Sequence, residues 1–106
     1  KAWSEENKEQ NRHYVRKQNL KHKFAITIEE YDAMFEKQNG LCAICAKAET
    51  AIDHHNGLPK RLAVDHDKVT GKVRELLCTG CNTGIGNLKH SIEYLENAIT
   101  YLKRHQ

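Results

Sequence analysis

With 106 residues, one proline and a hydrophobic content of 39%, the chain reads as one domain with a modest core, and no stretch approaches the roughly 20 apolar residues of a transmembrane helix. The formal charge of +3 excludes little, because four thiolates on one divalent ion would cancel much of it; the distribution of charge matters more than its sum. No signal-peptide pattern is present, so the thiols are expected in a reducing, cytoplasmic setting that favours metal binding over disulfides, and a start at Lys1 rather than Met reads as a trimmed or partial product.

Residues from about Ser4 to Leu20 contain few helix breakers and predict a polar, basic helix. Ser4 is its N-cap, and Glu5 and Glu6 lie in the first turn, where the helix dipole favours anions. Its apolar content is thin: Trp3, Tyr14, Val15 and Leu20. Between Asn7 and Phe24 six basic residues, Lys8, Arg12, Arg16, Lys17, Lys21 and Lys23, stand against one acid, Glu9. Lys8, Arg12 and Arg16 recur at every fourth position and share a face that suits either solvent or the phosphates of a nucleic acid. Thr27-Ile28-Glu29-Glu30 has the form of a capping box and predicts a second helix from Ile28 to about Gln38. Its buried stripe is Ile28, Tyr31, Met34 and Phe35, and Asn39-Gly40 is its stop signal.

Cys42-Ala43-Ile44-Cys45 forms a first knuckle, followed from Ala46 to Lys60 by an irregular surface loop in which His54 and His55 have no fixed spacing to any partner. Arg61 to Asp65 reads as a short strand, Asp67 to Lys72 as a turn and Val73 to Leu77 as the returning strand. Neighbouring side chains of a regular strand point to opposite faces, so Asp65 and His66 serve one site only where the strand ends or twists; it is expected to do so there. A helix starting near Cys81 sets Asn82, Ile85, Gly86 and Lys89 along one face. Ser91 caps a last helix reaching about Arg104. Its seam of Ile92, Leu95, Ile99 and Leu102 has heptad spacing and is expected to bury itself against the body or against a second copy. Monomer and homodimer through this helix both stay open.

Two C-x-x-C pairs, Cys42/Cys45 and Cys78/Cys81, can close a tetrahedral four-sulfur Zn²⁺ site with no open position, tying the exit of the second helix to the exit of the hairpin and fixing where Asn82 points. Reduced redox thiols are the alternative. Asp65 is a hard oxygen ligand and Asn82 offers a second oxygen. One carboxylate and one amide would hold Mg²⁺ or Mn²⁺ only together with waters and a substrate phosphate. His66, an imidazole, is the natural group to take a proton from an attacking water.

The run Leu62-x-Val64-Asp65-His66, then Gly71-Lys72-Val73-Arg74, Leu76-Leu77-Cys78-x-x-Cys81-Asn82 and Gly86, resembles the phage recombination endonuclease VII branch of the HNH (ββα-metal) nucleases. Ile26-Thr27, Tyr31, Gly40 and Cys42-Ala43-Ile44-Cys45 extend the likeness upstream. The resemblance implies an α+β fold: a ββα-metal hairpin and helix stapled by four-cysteine zinc, flanked by N- and C-terminal helices. The likeness covers about Ile26 to Asn87, and with the chain's single-domain length the whole is read as one nuclease domain over residues 1–106, divided as a basic arm at 1–25, a core at 26–90 and a C-terminal helix at 91–106. By the same resemblance Asp65 and Asn82 bind the catalytic divalent ion, His66 is the general base, and the reaction hydrolyses DNA to 5′-phosphate and 3′-hydroxyl ends. Lys8, Arg12, Arg16, Arg74 and Lys89 are the candidate DNA contacts. Val73 stands where many HNH proteins have an Asn that braces the hairpin loop, so another group must orient His66. Ile85 replaces an acidic residue of endonuclease VII, which argues against junction resolution. The alternative function is a non-catalytic zinc-ribbon module that binds nucleic acid.

Overall fold

A run of residues without glycine or proline forms helix α1, Glu5–Phe24. The computed structural model describes residues 5–106, with side chains from Glu9 onward; Trp3, the expected cap Ser4 and the side chain of Lys8 lie outside the described residues. The helix continues one turn past Leu20 because nothing there interrupts it, and Lys21, His22 and Lys23 in its last turn suit the negative end of the dipole. It stops at Ala25, which takes a left-handed φ of +57°.

Helix α2, Ile28–Lys37, begins with the capping box: Thr27 Oγ1 accepts from the Glu30 N–H at 3.0 Å, and Glu30 Oε1 accepts from the Thr27 N–H at 3.1 Å. It ends in a Schellman motif, with Gly40 N–H donating to the Phe35 carbonyl and Asn39 N–H to that of Glu36, both at 2.9 Å. Gly40 has φ +72°, and a Cβ there would meet Phe35 Cζ at 3.0 Å, so conformation and space both call for glycine. Of the expected stripe, Ile28 and Tyr31 are buried and Met34 is half-buried; Phe35 stays exposed and lies over Gly40. Arg16 ties α1 to α2. Its guanidinium lies 3.3 Å from Asp32 and 5.0 Å from the centroid of the Tyr31 ring.

Strands β1, Ala63–His66, and β2, Val73–Leu77, pair as a two-stranded antiparallel hairpin. Its turn is built by Asp67, whose Oδ1 accepts from Val69 and Thr70 N–H groups at 2.8 and 3.0 Å, and by Gly71 at φ +74°. Those hydrogen bonds, the one from Thr70 foremost, hold the Asp67 carboxyl below the usual range. The strand begins later than the apolar pattern predicts and runs through both Asp65 and His66, ending on the latter. Leu76 is fully buried, and the Gln38 carboxamide imitates one more strand residue: its Nε2 donates to the Leu76 carbonyl at 3.0 Å, and its Oε1 accepts from the Leu76 N–H at 2.9 Å.

The chain divides into two compact units. One holds α1, α2 and the hairpin from Val64 to Leu76, with Leu20, Ile28, Tyr31, Val64 and Leu76 as its buried apolar residues. The other holds Leu41–Ala63 and Leu77–Gln106. In the second unit a bridge between Ile52 and Pro59 closes a turn that carries His54 and His55 into solvent. Helix α3 is Thr79–Asn87 and helix α4 is Ile92–Arg104, the latter capped by Ser91 Oγ on the Tyr94 N–H at 3.1 Å. The element order is thus ααββαα, an α+β chain with a ββα run at its centre.

The expected bounds of α3 are corrected. Helix α3 starts two residues before Cys81, because the Cys78 sulfur caps it by accepting from the Cys81 N–H at 3.4 Å. It also ends before Lys89. Lys89 and His90 both take left-handed φ, +58° and +54°, in a second Schellman motif made without glycine, so Lys89 lies off the α3 face that carries Asn82. The α4 seam is not buried in its own unit: Ile92, Ile99 and Leu102 are 74%, 52% and 66% exposed. No helix among the described residues is long and apolar enough to cross a membrane.

Candidate functional site

Four sulfurs converge in the second unit. The ligand atoms of Cys42, Cys45, Cys78 and Cys81 all lie within 4.8 Å of one another, and Cys45 Sγ is 3.8 Å from Cys78 Sγ. A tetrahedron with metal–sulfur bonds of about 2.3 Å has edges of about 3.8 Å, whereas a disulfide needs about 2.05 Å. The spacing therefore fits a metal ion and not a pair of disulfides. Each C-x-x-C turn points a backbone N–H at its first sulfur, Ile44 to Cys42 and Cys81 to Cys78, both at 3.4 Å.

The thiols of the cluster differ in how readily they ionise. Burial works against ionising Cys42, but backbone N–H groups of Cys45, Cys78 and Ile44 outweigh it and lower the thiol to about 6; burial and the neighbouring thiols push Cys81 up to about 12. One sulfur ionises readily and the last resists, as expected of a cluster of anions with no cation among them. Glu49 braces the second knuckle. Its Oε2 accepts from Thr79 N–H at 2.6 Å and Thr79 Oγ1 at 2.8 Å, while Oε1 accepts from Thr50 and Ala51 N–H groups, both at 3.0 Å. Nothing in the sequence marked Glu49, which lies in the irregular loop 30 residues before Thr79.

Asp65 and His66 close β1 in the first unit. Asp65 is buried, and Arg74 on the opposing strand grips it with two hydrogen bonds, Nε to Oδ2 at 2.5 Å and NH2 to Oδ1 at 3.0 Å. The guanidinium is held charged by that bond above all, and by the fields of Asp65 and Asp67. Each Asp65 oxygen keeps a further lone pair, so a divalent ion and Arg74 can share the carboxylate. His66 is half-buried, with its ring 5.5 Å from that of Phe24 at an interplanar angle of 56°. Phe24 is a site residue that the sequence reading passed over.

The remaining candidates fall apart by environment. Asn82 sits half-buried in the first turn of α3, its N–H donating to the Cys78 carbonyl at 2.9 Å. Arg12 is exposed on α1, whereas Arg16 is committed to Asp32 and Tyr31. Arg74 is committed to Asp65, and Lys89 is exposed beyond α3.

A hairpin whose first strand ends in Asp-His, followed directly by a helix that carries Cys-Asn in its first turn, defines the chain as a ββα-metal type domain. A model of the family described as recombination endonuclease VII matches residues 17–104, and the chain belongs to that family. It is 50% identical over 82 residues to the gene 59 protein of Mycobacterium phage D29, covering 76% of this chain and 46% of that protein. The gene 59 protein of Mycobacterium phage L5 is 46% identical over 80 residues, covering 74% and 44%. Among solved structures the chain is similar to the beta-beta-alpha-Me type II restriction endonuclease Hpy99I. The TM-score is 0.53 at 33% identity, over 76% of this chain and 43% of the other. The chain thus spans less than half the length of each of these proteins.

Proposed function

We propose that this chain is a divalent-metal-dependent DNA endonuclease domain, stapled by structural zinc on Cys42, Cys45, Cys78 and Cys81. The observation that carries the reading is the hairpin end, where a buried carboxylate, Asp65, adjoins a half-exposed imidazole, His66. His66 takes a proton from water, the water oxygen bonds to phosphorus as the bond from phosphorus to the 3′ oxygen breaks, and the departing oxygen takes a proton from solvent, leaving 5′-phosphate and 3′-hydroxyl ends. Asp65 and Asn82 would hold Mg²⁺ or Mn²⁺, which would supply Lewis-acid stabilisation of the charge on the phosphoryl and departing oxygens. Asp65 is supported by its geometry. Asn82, carried by the other unit, is supported by its place directly after Cys81 and by the family. Arg12 and the exposed lysines of α1 bind phosphate without reading sequence, with Lys8 and Lys89 as further candidates.

We read residues 1–106 as one nuclease domain, acting inside a cell where its thiols stay reduced, with a second copy docking on the exposed seam of α4. The test is supercoiled-plasmid cleavage by zinc-loaded wild type and His66→Ala in Mg²⁺, Mn²⁺ or EDTA. Conversion to open circle or linear DNA by wild type alone, and only with metal, is expected.

One observation favours a second reading. Both Asp65 oxygens are already bound to Arg74, as in a hairpin whose ion pair is purely structural. A zinc-stapled module that only binds DNA would then retard DNA on a gel with and without His66 and cut under no metal.

A further inference from the structure

We infer that Phe24 is a positioning residue for His66, so that the basic helix bearing the phosphate-binding side chains also holds the general base. The inference rests on the nuclease reading above and adds what aims the imidazole. His66 is the last residue of β1, so no further strand pairing fixes its side chain. Among the described residues no group hydrogen-bonds its ring. What the ring does have is Phe24, 5.5 Å away centroid to centroid and tilted by 56°, within the range of favourable aromatic pairs.

Phe24 is itself well placed to act as a stop. It is the last residue of α1, and Leu20, one turn earlier, is buried and anchors that end of the helix. Ala25 reverses the chain directly after it, with its N–H bonded back to the Lys21 carbonyl at 3.0 Å and that of Ile26 to the Leu20 carbonyl at 3.3 Å. Phe24 is therefore fixed by backbone on both sides, while its flanks, Lys21 and Lys23, are exposed. Phosphate binding along α1 and aim of the imidazole thus meet at one residue. An aromatic stop restricts the ring without occupying either nitrogen, which leaves one free to accept a proton from water.

The experiment compares wild type, Phe24→Leu and Phe24→Tyr, all zinc-loaded. Leu keeps apolar volume and loses the ring; Tyr keeps the ring. Cleavage kinetics with Mg²⁺ give kcat and KM, and proton NMR gives the His66 ring resonances, assigned by their loss in His66→Ala. Phe24→Leu is expected to lower kcat about tenfold or more with KM within about twofold, since small misplacements of a reacting group cost that much. Its His66 resonances should lose their ring-current displacement and approach those of the exposed His54 and His55. Phe24→Tyr should stay within about threefold of wild type and keep the displacement. An active wild type with an unchanged kcat in Phe24→Leu, with unmoved His66 resonances, or with a kcat loss equal to the loss of folded protein by circular dichroism, overturns this inference alone. A wild type that cuts under no metal overturns the nuclease reading and this inference together.

Discussion

Arg74 holds both oxygens of Asp65 across the hairpin, at 2.5 and 3.0 Å, and this pair is where fold and chemistry meet. Asp65 is buried, so an ionised carboxylate there needs a partner in the folded hairpin whether or not an ion is bound. Removing one partner of a fully buried pair costs about 3–5 kcal/mol. Arg74 is 41% exposed on its side chain, so solvent screens the pair and Arg74→Gln should cost less, about 1–2 kcal/mol. In urea unfolding, Asp65→Asn should be milder when combined with Arg74→Gln than when made alone. Additive effects would mean that the contact contributes nothing to stability.

Glu49 does for the metal centre what Arg74 does for the hairpin. Burial raises its pKa, but hydrogen bonds from Ala51, Thr79 and Thr50 outweigh burial and leave it below the ordinary value of 4.5. A carboxyl with a folded pKa below its unfolded one adds stability above the unfolded value, and that stability is lost as pH falls through the folded value. Stability should therefore be flat near neutrality and fall below about pH 4.5, less steeply in Glu49→Gln. At pH 7 the same variant, with an amide N–H₂ facing Thr79 donors, should be about 1–3 kcal/mol less stable. Equal acid sensitivity of the two proteins in chemical unfolding would remove Glu49 from this role.

Features written in neighbouring residues were legible. The Thr27–Glu30 box, the Asn39-Gly40 stop, the Asp67–Gly71 turn and the Ser91 cap each depend on side chains a few positions apart, and each formed as the spacing predicted. Within the site, the four cysteines came together as their paired spacing required. Contacts between distant residues were not legible. Gln38 on Leu76, Glu49 on Thr79 and Phe24 on His66 join polar or aromatic side chains to partners 30 or more residues away, with no periodicity to announce them. The α3 boundaries failed for a related reason: a cysteine sulfur caps one end, and two non-glycine residues in left-handed backbone terminate the other.

Metal removal should unfold the second unit rather than merely inactivate it. The four thiols cannot all ionise unaided, with Cys81 pushed up to about 12 while Cys42 falls to about 6, so loading at neutral pH must expel protons. Zinc added to metal-free protein in weak buffer should acidify it, and affinity should rise with pH. Release of one zinc per chain on thiol modification, with loss of α3 and α4 helicity by circular dichroism, is the expected result. A metal-free protein with full helicity and an unchanged melting temperature would reduce the cluster to reduced thiols.

The last helix predicts how many chains act together. Ile92, Leu95, Ile99 and Leu102 have coiled-coil spacing, and three of the four are more than half exposed, so the described residues of their own unit leave the seam largely uncovered. In an antiparallel pair with Ile92 against Leu102 and Leu95 against Ile99, the flanking Glu96 of each copy falls near Lys103 of the other, twice over. A parallel pair would set Ala98 near Lys103 and Ser91 near Glu96, with no opposite charges matched. A two-heptad seam is shorter than isolated coiled coils need, so association should depend on concentration. Sedimentation should find a dimer that Ile99→Glu abolishes. Glu96→Lys or Lys103→Glu alone should weaken it about tenfold by turning two attractions into repulsions, and the double exchange should restore it. A wild type that stays monomeric at every concentration would exclude self-association through α4. A dimer indifferent to the exchanges but lost in Ile99→Glu would place the second copy on α4 in another register.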